Sequence, residues 1–135
     1  RAFYAWDTEL NNEFGGVHPP KNIDKETVQL PKNINRGQNT TLAVIGTDAK
    51  LTKAQARRLA IIAQDGLGRA IRPAHTPLDG DTVFTIATGR KNLEDPIRDI
   101  SLLGGYAANS LSRAIARAVY EARGINNIPA YSGLK

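Results

Sequence analysis

A chain of 135 residues and 14.6 kDa makes one domain, long enough to bury a real core. Its 41% hydrophobic and 23% charged residues exclude wholesale disorder, and its apolar runs are too short to span a bilayer. The absence of Cys excludes a disulfide scaffold, a thiolate nucleophile and a Cys-ligated zinc site, and His18 and His75 lie too far apart for a dense histidine cluster.

Eighteen Lys and Arg against thirteen Asp and Glu give a net charge of +5. The excess is local. Residues 1–39 balance, while residues 53–72 hold Lys53, Arg57, Arg58, Arg69 and Arg72 against Asp65 alone. A basic stretch of this kind is either a solvated helix face or a nucleic-acid footprint. No aromatics are interleaved with it, so it offers no base-stacking platform. The chain begins at Arg1 and contains no Met, so a processed, trimmed or partial chain is expected.

In chain order, Ala2–Trp6 is a short aromatic run suited to a strand, closed by the Gly15-Gly16 break. Residues 17–39 hold three prolines and many polar residues, and read as a long loop with a brief extended piece at Val28–Leu30. At Thr40 the character changes. Residues 40–47 are β-branched and apolar and predict a buried strand. A helix follows from Thr52, a plausible N-cap with Gln55 in the capping-box position. Leu59, Ile62, Ala63 and Gly66 share its apolar face, and it must end before Pro73.

Residues 76–81 have turn chemistry, and Thr82–Thr88 predict a second strand ended by Gly89. A long final helix is expected from about Asp95 to Arg123, with Gly104-Gly105 as a point of kinking or interruption. The tail from Gly124 reads as loop. The order of strand, long loop, strand, helix, strand, helix is an α/β pattern, short of strands for a sandwich of its own.

Gly66-Leu67-Gly68 lacks the third glycine and the preceding strand of a nucleotide loop. Two features can carry chemistry. Asp79-Gly80-Asp81 places two carboxylates around a glycine, either as an ordinary turn into a strand or as a pair that orients a nucleophile or shares a proton. Asn39-Thr40 places a Thr at the head of a buried strand behind a polar loop. That is either a β-branched residue in its favoured place or an N-terminal nucleophile. In the second case the Thr40 hydroxyl attacks the preceding carbonyl, the peptide shifts onto oxygen, and water frees an α-amine that can serve as base. His75 reads as a turn histidine or a general base, and Phe3, Tyr4 and Trp6 as core or as substrate lining.

Taken in order, these pieces resemble a known family. Asn39–Val44, Thr47–Ala49, Leu51–Gln55, Arg58–Ala60, Asp65-Gly66, His75-Thr76, Asp79–Phe84 and Ala87–Gly89 are similar to the self-processing DmpA-type aminopeptidases and β-peptidyl aminopeptidases, over roughly residues 1–122. The Asn39-Thr40 pair resembles the nylon-hydrolase branch, the 6-aminohexanoate-oligomer endo-hydrolases, where the aminopeptidases usually carry Gly-Ser. Phe3–Trp6 and Glu13–Gly16 also resemble the end of that branch's large subunit.

The resemblance implies an α/β fold, the αββα sandwich of the N-terminal-nucleophile-like kind, of which this chain is the C-terminal part. Residues 1–39 would end the large subunit, and residues 40–135 would be the small one. It implies autocleavage between Asn39 and Thr40, Thr40 as nucleophile, and Asp79 and Asp81 holding and polarising it. It implies no metal or organic cofactor, a cytoplasmic location, and processed heterodimers that form larger oligomers. The large-subunit segment upstream would bring further strands, an oxyanion donor and a lysine.

Three functions follow. The first is a threonine amidohydrolase cutting linear amides of ω-amino acids such as nylon-6 oligomers. The second is a DmpA-like aminopeptidase requiring a free N-terminal residue. The third is a nucleic-acid module built on the helix that carries Arg57 and Arg58, which the flanking strands fit poorly. Partners on the first reading are the amide oligomer and the rest of the large subunit, with neither nucleic acid nor membrane.

Overall fold

The computed structural model describes residues 1–22 and 40–134. The extended piece expected at Val28–Leu30 and residue Asn39 lie outside the described residues. Two strands and three α-helices follow Thr40: β1 (Leu42–Ala49), α1 (Lys53–Ala63), α2 (Asp65–Ala70), β2 (Thr82–Lys91) and α3 (Pro96–Glu121). This is a mixed α/β arrangement in which β1 and β2 pair in parallel.

The pairing is regular, with Leu42 opposite Thr82 and each residue to Thr47 opposite the one forty further on, before the register shifts at Thr47–Ala49. Parallel neighbours need a crossover, and α1 and α2 supply it. Side chains alternate across the two strands. Ala43, Ile45 and Val83 face the helices and pack with Leu67, Leu111 and Ile115, or with Leu59, Ala63 and Ala107. The opposite face carries Leu42, Val44, Phe84 and Ile86, all exposed.

Local chemistry fixes the helix ends. Thr52 caps α1 through a complete capping box: its Oγ1 accepts the Gln55 N–H at 3.2 Å, and its own N–H donates to Gln55 Oε1 at 2.8 Å. Asp95 caps α3 by accepting the N–H groups of Ile97 and Arg98, with Pro96 in the first turn.

The single helix expected from Thr52 toward Pro73 is divided in two at Gln64, whose own backbone stays helical at φ −60° and ψ −25°. Gly66 of α2 lies against the Ala108 carbonyl of α3, an approach that a Cβ would block. The interruption expected at Gly104-Gly105 does not occur, and α3 is continuous through both. Gly104 instead gives room to Ile62 of α1.

The strand expected at Ala2–Trp6 is also absent. These residues turn into a short 3-10 helix, Trp6–Thr8. Their polar groups close locally: the Trp6 N–H donates to Phe3 O at 3.2 Å, and the Thr8 N–H and Oγ1 both donate to Ala5 O. The segment packs on α3 rather than on a sheet edge, with Ala5 and Phe14 buried against Ala116. Beyond α3, an Ile125–Ile128 bridge and a 3-10 turn at Tyr131–Gly133 return the tail to the N-terminal segment. None of the described helices is long and apolar enough to cross a membrane.

Candidate active site

Parallel pairing puts the starts of β1 and β2 at one end of the sheet. The constant offset of forty residues, carried back from Leu42–Thr82, sets Thr40 beside Gly80. The side chains agree. A Cβ built on Gly80 would lie 2.6 Å from Thr40 Oγ1 and 3.6 Å from its Cβ and Cγ2. The absence of a side chain at residue 80 is what leaves space for the Thr40 hydroxyl. Gly80 does not hold a left-handed conformation, so its role is space rather than backbone freedom.

Thr41, the next residue, is held at both of its backbone groups. Its N–H donates to Asp81 Oδ1 at 2.8 Å, and its carbonyl accepts the Thr82 N–H at 3.0 Å. A charged acceptor makes the first of these the stronger bond. The rigid peptide that follows Thr40 is thereby fixed to the head of β2, while Thr40 itself is exposed.

The two carboxylates of Asp79-Gly80-Asp81 do different work. Asp81 reaches across to β1. Asp79 Oδ2 accepts the Thr76 N–H at 2.8 Å, and the Asp79 N–H donates to Thr76 O at 3.0 Å, which closes the turn leading into β2. The structure thus brings Thr40 and Gly80 together directly, places the Asp81 carboxylate on the Thr41 N–H rather than on Thr40, and keeps the Asp79 carboxylate on Thr76 in the turn before them. Asn39 lies outside the described residues. His75 is exposed on the preceding loop, with a left-handed backbone. Trp6 and Tyr4 are exposed rather than core, and Phe3 is half-buried.

From Thr41 an open groove of about 1030 Å³ runs along β1, walled by Ile45, Tyr106, Ser110 and Ala114. Tyr4 also lines it, under the Arg72 guanidinium at 4.9 Å from the ring centroid. The basic residues singled out in the sequence do not form one surface device. Arg57 and Arg58 are exposed on α1, while Arg69 hydrogen-bonds Asn109 of α3.

In the sequence Gly80 reads as turn chemistry, not as the space beside Thr40. The sequence carries one sign of it: two apolar β-branched runs whose heads are forty residues apart, one led by Thr40 and one by a glycine.

The family model for peptidase family S58 matches residues 8–130. An uncharacterized aminopeptidase of Mycobacterium tuberculosis is 40% identical over 139 residues, covering 93% of this chain and 40% of the relative. One from Mycobacterium leprae is 40% identical, covering 96% of this chain and 38% of the relative. A 6-aminohexanoate-oligomer endohydrolase of a Kocuria species is 32% identical over 65 residues, 48% of this chain and 18% of that protein. The chain thus spans about two fifths of the length of the mycobacterial relatives.

Proposed function

The chain belongs to peptidase family S58, and on that premise we propose that it carries the nucleophile of a self-processing amide hydrolase, with Thr40 in that role. The observation that supports this reading is the fit of the Thr40 hydroxyl beside Gly80, next to a peptide that Asp81 fixes in place.

The steps follow from groups on this chain. In processing, Thr40 Oγ1 attacks the Asn39 carbonyl, the C–N bond breaks, and the acyl group moves to oxygen as an ester. Water hydrolyses the ester, which leaves a new carboxylate at Asn39 and a free α-amine on Thr40. That amine, with an ordinary pKa of about 8, suits a base for the adjacent hydroxyl. In turnover it takes the hydroxyl proton as Oγ1 attacks a substrate amide. It returns the proton to the departing amine, and water releases the acyl group. Asp81 holds the peptide next to Thr40 through the bond from the Thr41 N–H to its Oδ1, and its second oxygen is a further candidate to take the hydroxyl proton.

The exposed apolar face of Leu42, Val44, Phe84 and Ile86 supports the expectation of a sandwich, because two strands of a finished fold would bury such a face under a second sheet. On this reading the second sheet, the oxyanion donor and the lysine come from a large-subunit segment, and the processed pieces form heterodimers.

For the substrate, aminopeptidase activity is the reading the mycobacterial relatives favour by coverage and identity. A second reading, endo-hydrolysis of ω-amino-acid oligomers such as nylon-6 oligomers, is favoured by the Asn39-Thr40 pair and by the Kocuria relative's name. One pair of substrates separates them. An aminopeptidase cuts an amide behind a free amine and leaves its N-acetylated form intact, whereas an endo-hydrolase cuts both. Intact mass tests the shared core of the two readings: a species that begins at Thr40 is expected, and a chain that turns over amides as Thr40→Ala overturns it.

A further inference from the structure

We propose that the seam between residues 1–22 and α3 with the C-terminal tail is the latch that keeps the two products of cleavage at Asn39-Thr40 together. The inference rests on the autocleavage reading and goes beyond it by naming the contacts that must replace the broken chain.

Before cleavage the N-terminal segment is tethered, and its docking needs little affinity because the linker keeps its effective concentration high. After cleavage the covalent tether is gone, and between residues 1–22 and the segment after Thr40 non-covalent contacts must replace it. The seam has three parts. Its apolar centre is Ala5 and Phe14, 1% and 2% exposed, against Ala116 of α3. Beside it lies a charge cluster. Glu13 takes a two-pronged bond from Arg113, from Nε to Oε1 and from Nη2 to Oε2 at 3.0 Å, with the Arg117 guanidinium 3.8 Å from Oε2. The Glu13 side chain is 15% exposed and that of Arg113 is 29%, so the pair is partly covered. Two-pronged geometry and partial burial distinguish it from an ordinary surface ion pair.

The third part is aromatic. Phe3 meets Phe14 edge-on at 5.4 Å and lies 4.7 Å from Tyr131 of the tail, which in turn lies 5.8 Å from Tyr120 of α3. The Tyr131 hydroxyl donates to the Arg1 carbonyl at 2.6 Å. The segment is thus gripped from α3 on one side and from the tail on the other, and every gripping residue lies C-terminal to Thr40.

The segment is also shaped for this docking. Glu9 Oε1 accepts the N–H groups of Phe14 and Gly16 at 2.7 and 3.0 Å, which folds residues 9–16 into a closed loop that presents Glu13 and Phe14. Little ordering is left to oppose association.

The test is a dilution series of the fully cut protein, read by native mass spectrometry, for the parent chain and for Glu13→Gln and Phe3→Ala. Each variant is also made in a Thr40→Ala background, where circular dichroism checks that it folds. The parent's pieces are expected to stay paired on dilution, and each variant to raise the concentration at which they separate by about thirty-fold or more. Parent-like separation of both variants overturns the latch. If intact mass shows no cut at Asn39-Thr40, the autocleavage reading fails alone. A protease site inserted between residues 22 and 40 then supplies the cut, and the same series decides the latch.

Discussion

Substituting Gly80 by Ala tests the geometry at its tightest point. The added Cβ would sit 2.6 Å from Thr40 Oγ1. An ordinary carbon–oxygen contact is about 3.3–3.6 Å, so the two groups must part by roughly 0.8 Å. The backbone at residue 80 is not left-handed, and Ala can adopt it, which by itself stabilises by about 0.4–1 kcal/mol through the unfolded chain. Relief therefore comes from the Thr40 hydroxyl, by a change of rotamer or a shift of the strand head. A displacement near 1 Å at a reacting atom costs on the order of a hundred-fold in rate. Gly80→Ala is expected to slow self-cleavage by about that factor while leaving the melting temperature within a few degrees. The assay is a time course of intact mass after refolding, with thermal unfolding of the same sample. Cleavage at the parent rate would refute the reasoning. A large fall in melting temperature would instead mean that the strand heads cannot adjust locally.

Thr40→Ala should give a chain uncut in intact mass and inactive on amides, while Thr40→Ser keeps both steps at reduced rate. Asp81→Ala removes the acceptor for the Thr41 N–H and should slow processing by about ten-fold or more, whereas Asp81→Asn retains an acceptor oxygen and is expected to lose less. Hydrogen bonding from the Arg113 guanidinium holds the Glu13 carboxyl below its ordinary range. A lowered pKa in the folded state gives stability that is present above the unfolded value near 4.5 and is lost as pH falls through the folded value. Denaturant titrations from pH 6 to 3 should show this loss in the parent and a shallower one in Glu13→Gln. In α3, Gly105 has open space around its missing Cβ and Gly104 has Ile62 there. Gly105→Ala should stabilise by about 0.5–1 kcal/mol, and Gly104→Ala should destabilise unless Ile62 moves. Thermal melts of the pair decide it.

Local sequence determined a good part of this protein. Thr52 and Gln55 announce a capping box, and Asp95-Pro96 a helix start, because caps are set by groups within one turn. The β-branched runs after Thr40 and Asp81 announce β1 and β2, because a half-buried pleat favours such side chains. The ordered pieces around Thr40 and Asp79-Gly80-Asp81 carried the family resemblance that the model match supports at residues 8–130.

What tertiary structure alone decided is of another kind. The aromatic run at Ala2–Trp6 suits a strand, yet the segment turns into a 3-10 helix, with Ala5 and Phe14 buried against Ala116 of α3. Which surface Gly66 meets is also decided in the fold: it lies against the Ala108 carbonyl, about forty residues downstream, where a Cβ would be blocked. Gly80 reads locally as a turn residue. It becomes the space for the Thr40 hydroxyl only once β1 and β2 pair, in the forty-residue register that the spacing of the two runs permits and packing fixes. The Glu13–Arg113 pair likewise joins residues at opposite ends of the chain. Capping and strand preference act within a few residues, whereas register, close approach and charge pairing are settled by which surfaces meet when the whole chain packs.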